Sequence, residues 1–154
     1  MLVSTAINRI KVAGHDISEE YTKERCLEFL NTAIQQTSSL LISAQYPALV
    51  KEMLVHNGES LPANYMKSCG NYPLRLTDNK VTIVDDSESV RFRYWATPDL
   101  LNDASTELPY KHDAVNEVIV RLATMLALNE NEYDIGQDST LLSQLQQAIA
   151  SGMA

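Results

Sequence analysis

Apolar positions recur along this chain with two different periods. Residues 4–13 carry Ile7 and Ile10 on one helical face, and Gly14 follows where a left-handed C-cap is expected. Asp16 and Glu19 stand at capping-box spacing, with Ser18 as an alternative N-cap, and Glu19 and Glu20 place negative charge in a first turn. Leu27, Leu30, Ile34, Thr37, Leu41 and Ala44 then draw one stripe, which predicts a helix of about seven turns ending before Pro47. Between Pro47 and Pro98 the period shortens to that of strands. Residues 49–55 form the first run and end at Asn57-Gly58. Residues 74–76 and 81–84 are joined by Thr77-Asp78-Asn79-Lys80, a hairpin loop, and Asp85-Asp86-Ser87 makes the next turn. Val90, Phe92 and Tyr94 alternate with Arg91, Arg93 and Trp95, giving a strand with one apolar face and one cationic face.

After a polar connection over residues 98–109, helical spacing returns. Val115, Val118, Ile119, Leu122, Met125 and Leu126 predict a second long helix over residues 114–128. Residues 129–136 are acidic and irregular. Asp138 or Ser139 then caps a last helix with Leu141, Leu142, Leu145 and Ile149 as its apolar positions. The pattern therefore predicts an α+β, mainly α fold: an antiparallel bundle of long helices with a small inserted antiparallel β-element and a C-terminal helix. Residues 1–136 are expected to form one helical domain with its β insertion at about residues 48–97. Residues 137–154 form a terminal helix that either caps the core or serves as a docking arm.

With 154 residues, the chain is of a size for one core without disulfides or metals, and no internal repeat suggests more. Cys26 and Cys69 form no CxxC pair or zinc spacing, which points to a reducing cytoplasm. The opening MLVSTAINRIKVAG lacks the basic and apolar regions of an export signal, and no apolar run is long enough for a membrane span. Charge is unevenly distributed. Residues 1–97 carry 10 cations and 11 anions, whereas residues 98–154 carry Lys111 and Arg121 against nine acids, so −7 of the net −8 lies in the final part. No Lys or Arg follows Arg121, which disfavours a grip on phosphates from that end.

Chemical motifs are sparse. His15, His56 and His112 lie in three segments without a partner at ligand spacing, and they read as exposed or locally bonded imidazoles. There is no GxSxG and no glycine-rich loop, and Cys26 falls mid-helix, where burial keeps a thiol inert. The pairs Asp85-Asp86 and Glu19-Glu20 are explained by turn formation and helix-start charge. No enzyme, cofactor or metal is expected. Arg91, Arg93 and Trp95 are the most distinctive polar surface. They suit either salt bridges to acidic neighbours, inside the chain or on another copy or partner, or a grip on single-stranded nucleic acid.

The order of segments carries more than any single motif. Ile7-Asn8-Arg9-Ile10 is followed by Leu27-Glu28-Phe29-Leu30-Asn31-Thr32-Ala33, which resembles the "I/L-N-x-A" helix of bacteriophage head-to-tail connector (adaptor) proteins. Gly58-Glu59-Ser60-Leu61-Pro62 is similar to the "LP" that ends their first strand. Arg93-Tyr94-Trp95-Ala96-Thr97-Pro98-Asp99-Leu100 resembles their "Y-x-x-x-P-x-x-L" strand exit, and Leu108-Pro109-Tyr110 their lead into the second long helix. The likeness spans about residues 4–150. It departs at Tyr133-Asp134-Ile135-Gly136-Gln137, which is more broken than a single closing helix.

The resemblance implies a virion protein assembled in the host cytoplasm and placed at the capsid–tail junction. There it forms a homo-oligomeric ring, commonly of twelve copies, beneath the portal protein, with tail or further connector proteins below and genomic double-stranded DNA passing through. It assigns portal docking to Leu141, Leu145 and Ile149. An acidic lumen, past which a polyanion slides, would draw on Glu130, Glu132, Asp134 and Asp138, or on Asp85, Asp86 and Glu88. Two alternatives remain: a tail-terminator ring, which should be richer in strand, and a nucleic-acid-binding regulator using Arg91, Arg93 and Trp95.

Overall fold

The computed structural model of the chain describes residues 1–14 and 21–152. His15, Asp16, Ser18, Glu19 and Glu20, with the capping box expected there, lie outside the described residues. The elements in order are α1 (Val3–Ala13), α2 (Lys23–Ser43), β1 (Val50–His56), β2 (Tyr65–Ser68), β3 (Leu74–Thr77), β4 (Lys80–Ile83), β5 (Ser89–Ala96), α3 (Asp113–Leu128) and α4 (Ser139–Gly152). Single 3₁₀ turns occur at Pro47–Leu49 and Ile135–Gln137. No helix among the described residues is long and apolar enough to cross a membrane.

The expected long-helix bundle is not what forms. Among the described residues there are four helices and two antiparallel sheets, with helix at 46% and strand at 21%, so the fold is α+β. Only α2, with 21 residues, is long, and α3 has 16. The chain divides into two compact units, one of residues 1–44 with 98–154 and one of residues 45–97. The reason lies in the middle segment, which has enough aromatic and branched side chains to enclose a core of its own.

In the helical unit, α1 buries Val3, Ala6, Ile7 and Ile10, and α2 buries Leu27, Leu30, Ala33, Ile34 and Leu41. The buried face of α3 includes Val115, Val118, Ile119, Leu122 and Leu126. The 3.6-residue period marks Ile7, Ile10, Leu27, Leu30, Ile34, Leu41 and the α3 positions among these, whereas Ala44, placed on the same stripe, is exposed at the C-cap of α2. Helix α2 starts with Thr22 as N-cap, whose Oγ1 accepts a hydrogen bond from the Arg25 backbone N–H at 3.2 Å. Gly14 corrects another expectation. It ends α1 at φ −82°, outside the left-handed region, and a Cβ there would collide with the Tyr21 ring. Close approach of an aromatic side chain, and no left-handed cap, is what requires glycine at this position.

Helix α3 ends in a Schellman turn: the Asn131 N–H reaches the Leu126 carbonyl at 2.7 Å, and Glu130 holds the left-handed position at φ 53°. Asp138 starts α4 by accepting the Leu141 N–H at 3.0 Å. Helix α4 belongs to the helical unit and is no separate arm, because Leu141, Leu145 and Ala148 are all buried.

In the β unit the three-stranded sheet has the order β1-β5-β2, and β3 pairs with β4 in a second sheet. Asp78 and Asn79, at φ 51° and 66°, make a two-residue hairpin between the paired Thr77 and Lys80, the backbone pattern of a type I′ turn. Residues 58–61 run beside β4 through Gly58 N–H to Val81 O, Val81 N–H to Glu59 O and Leu61 N–H to Asn79 O, at 2.7–2.8 Å. Gly58, at φ +86°, turns the chain out of β1 into this segment. The enclosed core comprises Val55, Leu61, Val81, Val90, Phe92, Tyr94 and Ala96. Around Phe92 the rings of Tyr65, Tyr72 and Tyr94 lie 5.4–6.5 Å away in tilted or edge contacts.

Candidate functional site

Strand β5 alternates as its sequence predicts. Val90, Phe92, Tyr94 and Ala96 are buried, Arg91 and Arg93 are exposed, and Trp95 is half-buried. Residues directly opposite in an antiparallel ladder share a face. The register pairs Leu54 with Arg91, Glu52 with Arg93 and Val50 with Trp95, while Lys67 of β2 lies opposite Trp95. The outer face of the sheet therefore gathers three cations, one carboxylate, an indole and an exposed leucine. Arg91 Nη1 reaches Glu52 Oε1 at 3.5 Å, with both side chains largely in solvent, so this pair adds little stability. Lys67 has no place in the sequence reading, because β2 is too short and too exposed to register there as a strand.

Cys69 continues β2 through its N–H to Arg93 O at 2.9 Å. Burial pushes its thiol above the ordinary range, while Arg93 and Lys67 pull it partly back. Cys26 is buried and directs its thiol to the Tyr21 carbonyl at 3.8 Å.

A second surface lies between α3 and α4. Glu130, Glu132 and Asp134 are exposed on a connection whose backbone is fixed at several points. Gln36 of α2 grips it with both amide atoms, Nε2 donating to Tyr133 O and Oε1 accepting from the Ile135 N–H, each at 2.9 Å. Asp134 Oδ1 accepts from the Gly136 N–H at 2.8 Å. Asp138 departs from the role of a free lumen acid. It is half-buried and engaged at both oxygens, one by the Leu141 N–H and the other by the Tyr133 hydroxyl at 2.5 Å. The tyrosine hydroxyl, then the backbone N–H, hold its carboxyl below the usual range.

Leu141 and Leu145, expected to dock on a portal, are 4% and 2% exposed. Their side chains close the helical unit and cannot reach a partner while α4 stays packed. Ile149 is half-buried. Asp85, Asp86 and Glu88 are exposed in the β4–β5 connection, where Asp85 Oδ1 accepts from the Ser87 N–H at 2.9 Å. His56 pairs locally with Glu59 at 2.7 Å, and His112 stands at the N-cap position of α3 without a side-chain cap. No group of three or more His, Cys, Asp or Glu among the described residues gathers as a metal would need.

The segments that carry the family resemblance have structural work of their own. Asn31 binds the chain beyond β5, with Oδ1 accepting from the Leu101 N–H at 2.7 Å and Nδ2 donating to Leu101 O at 2.9 Å. Tyr110 meets the buried Ser38 hydroxyl at 2.6 Å, and its carbonyl accepts from Asn116 Nδ2 at 2.7 Å. A comparison with protein-family models and with curated proteins found no match to the chain.

Proposed function

We propose that the chain is a structural protein of a bacteriophage virion, a ring-forming adaptor between the capsid portal and the tail, with the genome passing through its lumen. The observation that carries this reading is the order of the resembling segments. They fall within α2, on the residue 58–61 segment of the β unit, at the end of β5 where the chain returns to the helical unit, and at the lead into α3, in the order the resemblance gives them. Helix outweighs strand, 46% to 21%, which favours an adaptor over a strand-rich tail-terminator ring.

In this reading the protein performs no chemistry. Its copies, commonly twelve in the family it resembles, enclose a channel, bind the portal above and bind a tail or second connector protein below. An acidic lining lets a polyanion slide without adhering, since like charge suppresses the contacts that would hold phosphate. Two exposed acidic sets are available for it: Asp85, Asp86 and Glu88 in one unit, and Glu130, Glu132 and Asp134 in the other. Docking on the portal has to use exposed side chains, since Leu141 and Leu145 are core residues.

Electron microscopy of the purified protein mixed with tailless capsids tests the proposal. The expected result is a ring at the portal vertex. A protein that leaves capsids undecorated and forms no complex with isolated portal in native mass spectrometry overturns it, whether or not it associates with itself.

A further inference from the structure

We infer that the outer face of the β1-β5-β2 sheet receives the acidic α3–α4 connection of a second copy of the chain, in a head-to-tail contact; only its closure into a ring rests on the adaptor reading. On the sheet face, Arg93 and Lys67 have no carboxylate within 4.0 Å among the described residues, and Arg91 has only Glu52, at 3.5 Å with 70% of the arginine side chain exposed. Cations exceed anions there by three to one. Leu54, 46% exposed, adds an apolar spot beside them.

The acidic connection is the converse. Helix α3 has no basic residue in its last turn, so Glu130 and Glu132 sit at the negative end of the helix dipole, where carboxylates are disfavoured. Among the described residues no Lys or Arg lies within 4.0 Å of Glu130, Glu132 or Asp134. Arg25, which lines a hollow with Glu130, has its guanidinium over the Tyr21 and Phe29 rings at 5.9 and 5.6 Å. Leu128, 50% exposed, again places an apolar side chain next to charges of one sign. The Gln36 clamp and the Schellman turn fix the backbone beforehand, which lowers the ordering entropy a partner would have to overcome.

Charge complementarity names the occupant. The β unit carries six cations and six anions, and the helical unit carries the whole net −8. A cationic sheet face therefore finds its complement in the helical unit of another copy. Because the two patches differ, the contact is heterologous, the type that closes into rings or extends into filaments. It takes Glu130 and Glu132 for the inter-copy contact and leaves Asp85, Asp86 and Glu88 to line a lumen.

Two charge-reversed full-length proteins test this, Arg91→Glu/Arg93→Glu and Glu130→Lys/Glu132→Lys, all at exposed positions and checked for folding by circular dichroism. In sedimentation and native mass spectrometry at about 50 mM salt, the unaltered chain is expected to self-associate, with weakening as salt rises to about 300 mM. Each variant alone should lose ~10-fold or more in self-affinity, and a one-to-one mixture should recover it with the two variants alternating. An unaltered chain that stays monomeric at low salt, variants that associate as well as it does, or a mixture that remains monomeric overturns the contact. If both variants decorate capsids as the unaltered chain does, this contact fails and the adaptor reading stands. If the unaltered chain associates but never decorates capsids, the reverse holds.

Discussion

At the scale of single residues, two amides on α2 do what no apolar stripe could. Asn31 and Gln36 each offer one donor and one acceptor to a returning backbone, and thereby fix the connections that follow β5 and α3. Asn31→Ala removes both bonds and leaves the Leu101 peptide groups to find other partners. It is expected to destabilise the protein by about 1–3 kcal/mol in urea unfolding. Thr37 acts in the opposite direction. Its hydroxyl is fully buried and has no hydrogen-bond partner among the described residues, so Thr37→Val removes an unpaired polar group at nearly constant volume. The expected gain is about 1 kcal/mol, seen as a higher melting temperature. Asn116, whose Oδ1 is equally unpartnered, offers no such gain, because its Nδ2 holds the Tyr110 carbonyl at 2.7 Å.

At the scale of elements, what the sequence makes legible follows from periodicity. Helices α1, α3 and α4 and strands β1, β3, β4 and β5 all lie within a few residues of where alternating or 3.6-residue patterns put them. Strand β2 escapes that logic, since its four residues shift register at a bulge between Tyr65 and Lys67 and none is fully buried. Its placement beside β5 is a tertiary result, and so is the addition of Lys67 to the Arg91, Arg93 and Trp95 face. The clamps of Asn31 and Gln36 are hidden for the same reason, since they act across about 70 and 100 residues of sequence. The hairpin is legible down to its turn, and it yields a prediction. Asn79 holds φ 66°, a region that Asn tolerates but that Gly enters without any Cβ penalty, so Asn79→Gly should stabilise the β unit by about 0.5 kcal/mol in denaturant unfolding.

Acid sensitivity also belongs to the elements. Glu117 of α3 binds Arg9 of α1 in two parallel bonds of 2.6 and 2.7 Å, and that hydrogen bonding holds its carboxyl below the ordinary range. Asp138, at the start of α4, is depressed for a different reason, the Tyr133 hydroxyl and the Leu141 N–H. A depressed carboxyl contributes stability that is complete above its unfolded value and is lost as pH falls through its folded one. Stability of the helical unit should therefore hold from neutrality to about pH 5 and decline below it. Glu117→Gln should make that decline shallower in acid titrations followed by circular dichroism, by no more than about 1 kcal/mol, because both partners are about 40% exposed.

At the scale of the whole molecule, the charge division bears on what touches the genome. The helical unit carries the entire net −8, and three cations gather on the outer sheet face, with Glu52 among them. A channel protein and a nucleic-acid-binding regulator make opposite demands on that face. A regulator would use Arg91, Arg93 and Lys67 on phosphates and Trp95 for stacking, and three such contacts give affinity falling with a log–log salt slope of about −3. That dependence is shallow but measurable. A repelling channel gives no binding to measure, because the long-range field of a −8 chain opposes the approach of a polyanion before the sheet face can act. Filter binding with short double-stranded and single-stranded DNA at about 50 mM salt is therefore expected to show no retention. Retention that weakens with the −3 slope, and is abolished in Arg93→Ala, would move the protein from the channel reading to the regulator. Retention unaffected by that substitution would place the contact elsewhere and remove the sheet face from both accounts.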